Sequence, residues 1–147
     1  MKYENKRIFG SAKRIAAFGL ALAMLLCFFG CGGYKSKYKA VGFVHSNDSD
    51  SAHMSFYSFE GRMVFKLNTT RESDIKYQAK LESGSATVYY DWAGKQALFS
   101  VKGGEELDSR SGYVDNGTIY IIVETDGECM NGEFSFSINA PEETVSE

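Results

Sequence analysis

Residues 45–53 read His-Ser-Asn-Asp-Ser-Asp-Ser-Ala-His and bring two imidazoles and two carboxylates into nine positions. His45, Asp48, Asp50 and His53 are the ligand types of a mixed nitrogen and oxygen metal site. They lack the Asp-x-Asp-x-Asp-Gly spacing of a calcium loop, and no cysteine stands among them to complete structural zinc. The favoured expectation is a polar surface loop between two strands with no cofactor, and calcium is the weaker alternative. A second group is Tyr89-Tyr90-Asp91-Trp92. An exposed aromatic ring stacks on a pyranose face while a neighbouring carboxylate accepts from sugar hydroxyls. Tyr90, Asp91 and Trp92 are therefore the candidate ligand-binding residues. The plainer alternative packs Trp92 beneath a sheet and uses Asp91 to open the turn before Gly94.

Catalytic groupings are poorer. Ser73-Asp74-Ile75-Lys76 has the S-x-x-K pattern of penicillin-recognising enzymes, which needs a helix to bring the lysine under the serine. Here the segment enters an alternating stretch, where residues three apart point to opposite faces. No Gly-x-Ser-x-Gly is present, and His45 and His53 are the only histidines, so no catalytic residue is assigned and no enzyme is expected. Cys129 has no evident cation or helix start beside it to lower its pKa, which predicts a partly buried, unreactive small apolar residue.

The elements that must position these groups are strands. Ile75 to Glu82 reads I-K-Y-Q-A-K-L-E, with apolar and polar residues strictly alternating. That period marks a strand buried on one face. The same pattern recurs at Met63 to Leu67 and Glu133 to Ile138, and less cleanly at Tyr38 to His45 and Met54 to Phe59. Thr118 to Glu124 is apolar on both faces and predicts a central strand; Ala97 to Val101 is a further short one. Glycine and asparagine at Glu60-Gly61, Ser83-Gly84, Ala93-Gly94, Asn116-Gly117 and Asp126-Gly127 supply the turns. The expected fold is all-β: an antiparallel, jelly-roll-like sandwich of about eight strands, preceded by an N-terminal signal or anchor helix.

The opening residues fix the expected compartment. Lys2, Lys6, Arg7, Lys13 and Arg14 precede fifteen uncharged residues, Ile15 to Phe29, and small residues follow around Cys31. A basic region, a short apolar run and a small-residue exit make a secretory signal, and the run is short for a membrane span. Phe28-Phe29-Gly30-Cys31 resembles the lipobox of bacterial lipoproteins. That resemblance implies diacylglycerol on the Cys31 thiol and attachment to the outer face of the cell membrane. The expected divisions are a signal peptide over 1–30, lipidated cysteine and linker over 31–37, a sandwich over 38–140 and an acidic tail over 141–147. Lys35, Lys37 and Lys39 would then sit near lipid head groups. Beyond Gly30 the chain carries 11 basic and 18 acidic residues, a net charge of −7, which disfavours nucleic acid as a partner. Cys27 goes with the signal, so no disulfide framework remains.

The span from about Ser55 to Asn139 carries a further likeness. Leu81-Glu82-Ser83-Gly84-Ser85, Val88-Tyr89-Tyr90-Asp91, Gly117-Thr118-Ile119-Tyr120-Ile121-Ile122-Val123 and Gly132-Glu133-Phe134-Ser135-Phe136-Ser137-Ile138 resemble the bacterial pre-peptidase C-terminal domain. The resemblance implies a jelly-roll accessory module on a secreted protein. Ser85 and Thr87 stand where many members carry aspartates suited to calcium. The expected function is a membrane-anchored, non-catalytic binding module for an envelope polysaccharide or a protein partner. The alternative is a small inhibitor or envelope-assembly factor that docks its partner through an edge strand.

Overall fold

The apolar alternation through residues 51–69 produces one strand of 19 residues, β3 (Ser51–Thr69). Fully extended, a strand of that length would reach about 60 Å. Its ends instead meet, because the Asn68 amide donates to the Ser49 carbonyl at 2.6 Å. The strand therefore folds back on itself near its middle, at Gly61. There φ is +129°, and a Cβ would overlap the carbonyl oxygen of Lys37, so both the backbone angle and the space demand glycine. The Gly61 amide is held by the Thr125 hydroxyl at 2.8 Å.

The computed structural model describes residues 33–138 of the chain. The bend in β3 divides one continuous, antiparallel, nine-stranded sheet into two facing leaves. In the first, the C-terminal half of β3 pairs with β8 (Gly117–Thr125), which pairs with β5 (Ser85–Asp91), which pairs with β6 (Lys95–Lys102). In the second, the N-terminal half of β3 lies between β2 (Val44–Asn47) and β9 (Cys129–Ser137). From β9 the second leaf continues through β4 (Ser73–Ser83) to β7 (Glu106–Val114). A short β1 (Lys37–Val41) pairs along the bend itself.

Between the leaves lies the core. Phe65 of the first leaf faces Phe136 of the second at 6.2 Å, and Tyr77 stacks on Phe99 at 4.2 Å between ring centres. Ile119, Ile121 and Val123 of β8 project inward and are fully buried. The expected all-β antiparallel sandwich is what forms, with nine strands where about eight were anticipated. The stretch Tyr38 to His45, read as one strand, is broken into two by Gly42 at φ +58°. Two stretches read as separate strands with a turn at Glu60-Gly61 are the two arms of β3. The signal or anchor helix, Cys31 and the acidic tail lie outside the described residues.

Residues 34–36, anticipated as part of a free linker, belong to the domain. The Ser36 hydroxyl accepts from the Val64 amide at 2.9 Å, and the Tyr34 hydroxyl donates to Asp91 Oδ2. Tyr34 also packs on Tyr120 with ring centres 5.5 Å apart. This strap crosses the outer face of the first leaf from β3 to β5. Beneath it Ile122 points outward from β8 yet is fully buried, whereas an outward residue of a two-leaved sandwich is normally wet. We refer to the first leaf as strapped and the second as open.

Candidate functional site

The three residues expected to form a sugar-facing surface are sent in three directions. Tyr90 points into the core at 6% exposure, and its hydroxyl donates to Gln96 Oε1 at 3.2 Å. Its ring is therefore closed to a ligand, which corrects the expectation for that residue. Asp91 points outward, and both carboxylate oxygens are engaged: Oδ2 by Tyr34 and Oδ1 by the Gly94 amide at 3.1 Å. Trp92, half-buried at the strand end, meets Tyr113 edge-on at 5.6 Å. Successive residues of a strand face opposite sides, and that geometry divides the cluster. Desolvation, followed by the charges of Glu72 and Asp115, raises the phenol pKa of the exposed Tyr113.

The metal candidates are separated for the same reason. Pairing places Ser46 opposite His53 and His45 opposite Met54, so the two imidazoles lie on opposite faces of the open leaf. His45 stacks on Phe43 at 5.1 Å, and His53 bonds Glu133 at 3.1 Å. Asp48 and Asp50 lie in the intervening turn, where Asp48 takes a hydrogen bond from Ser51 and the Asp50 carbonyl takes the Ile138 amide. Among the described residues no group of three or more His, Cys, Asp or Glu converges as a metal site. Ser73 donates to the Asp74 carbonyl at 3.0 Å, on the opposite side of β4 from Lys76. Cys129 is fully buried, its thiol donates to the Ser85 carbonyl at 3.3 Å, and desolvation raises its pKa.

What sequence reasoning missed is a polar track across the outer face of the open leaf. Strand register aligns Ser46, His53, Ser135, Gln78 and Asp108 in a single row over β2, β3, β9, β4 and β7. Ser137 and Lys76 flank the row on one side, and Glu133 and Lys80 on the other. A groove of about 370 Å³ lies over the first four of these strands. A second depression of about 160 Å³ continues over β4 and β7, sharing Gln78 and Ser135. Five strands spaced about 4.8 Å apart make the track about 19 Å long. Its chemistry is that of hydroxyls, an amide, an imidazole and a few charges, which suits many weak hydrogen bonds to a polar chain. Within the row, His53 Nε2 is bonded to Glu133 Oε1 at 3.1 Å. The signal lay in single positions of five separate strands, which become neighbours only when pairing is known.

An apolar corner adjoins the track. Val41 and Val44, on either side of Gly42, and Tyr57 of β3 are 62%, 64% and 57% exposed. Phe43 is drawn inward instead, packing on Tyr38 and Phe59 at 4.9 and 5.4 Å.

No protein-family model matches the chain, and no curated protein matches it in sequence. Several solved structures are similar to it over part of the chain. TmCBM61 in complex with β-1,4-galactotriose is 14% identical with a TM-score of 0.43, over 70% of this chain and 86% of that one. The pre-peptidase C-terminal domain of a collagenase from Bacillus anthracis is 13% identical with a TM-score of 0.39, over 71% and 87%. The Drosophila melanogaster CENP-C cupin domain is 12% identical with a TM-score of 0.31, over 69% and 74%. Function is therefore argued from the site itself.

Proposed function

We propose that this chain is a lipid-anchored, extracytoplasmic and non-catalytic binding module whose open leaf holds an envelope polysaccharide along the polar track. The observation that carries the reading is the registered row from Ser46 to Asp108, a continuous, mostly uncharged lane across five strands. Such a lane offers donors and acceptors at regular intervals, matching a repeating polymer better than a compact ligand. The lipobox-like Phe28-Phe29-Gly30-Cys31 supports acylation of Cys31 and a place on the outer face of the cell membrane.

The test is thermal melting of the protein with purified cell-wall polysaccharide fractions, since a ligand of the native state raises the midpoint by mass action. A polysaccharide should raise the melting temperature of the wild type and leave that of a His53→Ala, Gln78→Ala double variant unchanged. Trp92→Ala serves as the counter-test. If that change abolishes the shift while the double variant keeps it, the ligand sits at the Trp92 and Tyr113 end.

A protein partner is the second reading, favoured by the exposed corner of Val41, Val44 and Tyr57 beside edge strand β2. An inhibitor or assembly factor would dock there by strand addition. Crosslinking on intact cells that is lost on Val44→Lys, with no response to any polysaccharide, would select it.

A further inference from the structure

The strap fixes where the chain leaves the domain, and that point lies on the strapped leaf. Tyr34 is bonded to Asp91 and packed on Tyr120, and it stands only three residue steps from Cys31, with Gly32 and Gly33 between them. Three such steps reach at most about 11 Å. An acyl group on Cys31 would therefore hold the outer face of the strapped leaf close to the bilayer.

The charges on the two leaves are arranged to suit. The strapped leaf presents Arg62, Lys66, Lys95 and Lys102 on its outer face, against Asp91, Glu124 and, just beyond β8, Asp126 in the same depression as Lys102. Asp91 is already occupied by Tyr34, and Glu124 by Arg62 at 2.9 Å and Lys95 at 3.4 Å. Among the described residues no carboxylate pairs with Lys66 or Lys102, and Lys35 of the strap adds another ammonium. On the open leaf Lys76, Lys80 and Arg110 are outnumbered by Glu82, Glu106, Asp108 and Glu133. An anionic surface attracts the first face and repels the second.

We propose that the outer face of the strapped leaf docks on anionic lipid head groups, so that the open leaf and its polar track face away from the membrane. The inference rests on the anchoring of Cys31 in the proposed function, and the experiment separates the two. The full chain carrying Cys27→Ser is coupled through Cys31 to a maleimide phospholipid in vesicles of phosphatidylglycerol and phosphatidylethanolamine. The buried Cys129 thiol is shielded from coupling. An amine-reactive reagent is then added, and the modification rate of each lysine is read by mass spectrometry against the same chain in detergent.

Docking predicts that Lys66 and Lys102 react several-fold more slowly on the vesicles while Lys80 keeps its rate. Equal rates at all three, or slowing confined to Lys80, would overturn the orientation. So would protection of the same size on vesicles of neutral phosphatidylcholine, because the attraction is to charge. Whether cells attach the lipid is decided separately, by whether Cys31→Ala moves the protein out of the membrane fraction of a bacterial host. Loss of that anchoring result would leave the coupled-vesicle result intact.

Discussion

The two leaves share one sheet and one core, yet their outer faces have been put to opposite uses. On the open leaf the outward residues of β3, β9 and β4 are serine, histidine, glutamine and charged residues, set in rows and available to solvent. On the strapped leaf the equivalent positions hold Val64, Ile122 and Tyr120, and the chain itself lies over them. The difference shows that a strand apolar on both faces needs a cover on each side. For β8 the core supplies one and residues 34–36 supply the other. A face given to structure cannot also serve as an open lane, so the ligand is sought on the opposite leaf.

The largest effect is expected where the leaves join. Gly61→Ala puts a side chain into the Lys37 carbonyl at a φ that disfavours it, and should cost about 3 kcal/mol or more in urea unfolding. An outward substitution on each leaf compares them more directly. Ile122→Ala should cost about 2–4 kcal/mol, as a core truncation does, although the residue faces away from the core. Ser135→Ala on the open leaf should stay within about 0.5 kcal/mol. Equal costs in urea would mean that the strap does not cover its leaf.

A smaller effect should come from the strap's own bond. Tyr34→Phe removes the hydroxyl given to Asp91 and should cost about 1 kcal/mol. The hydrogen bond to Asp91, with desolvation and the nearby carboxylate charge adding to it, raises the Tyr34 phenol pKa. The folded state thus favours the protonated phenol. Its contribution is present below the range where a free tyrosine ionises and is lost as pH rises through the raised folded value. Spectroscopic titration should therefore show a late-ionising tyrosine that disappears in Tyr34→Phe. His53→Ala with Gln78→Ala removes only exposed hydrogen bonds and should change stability little while removing the response to polysaccharide.

Much of the fold could be read in the sequence, because alternation in Ile75 to Glu82 and in Glu133 to Ile138 directly records one buried and one wet face. The two-sided apolarity of Thr118 to Glu124 correctly placed β8 inside a leaf. Strand β7 escaped notice because an edge strand reading E-L-D-S-R-S-G-Y-V buries little and so carries little alternation. The bend in β3 was hidden as well, since glycine after glutamate marks a hairpin and a bent strand equally well. For the site, sequence proximity misled: Tyr90, Asp91 and Trp92 are neighbours along the chain and diverge in space. His53, Ser135 and Gln78 are far apart along the chain and adjacent in the sheet. Pairing register decides such neighbourhoods, and composition holds no record of it.

The most direct measurement is amide hydrogen exchange of the protein with and without a polysaccharide that raises its melting temperature. Slowed exchange confined to residues 51–57, 76–80 and 133–137 is the predicted result, with the strapped leaf unchanged. Protection centred on residues 91–94 and 113–117, or on the strapped leaf, would contradict the assignment of the open leaf as the binding face.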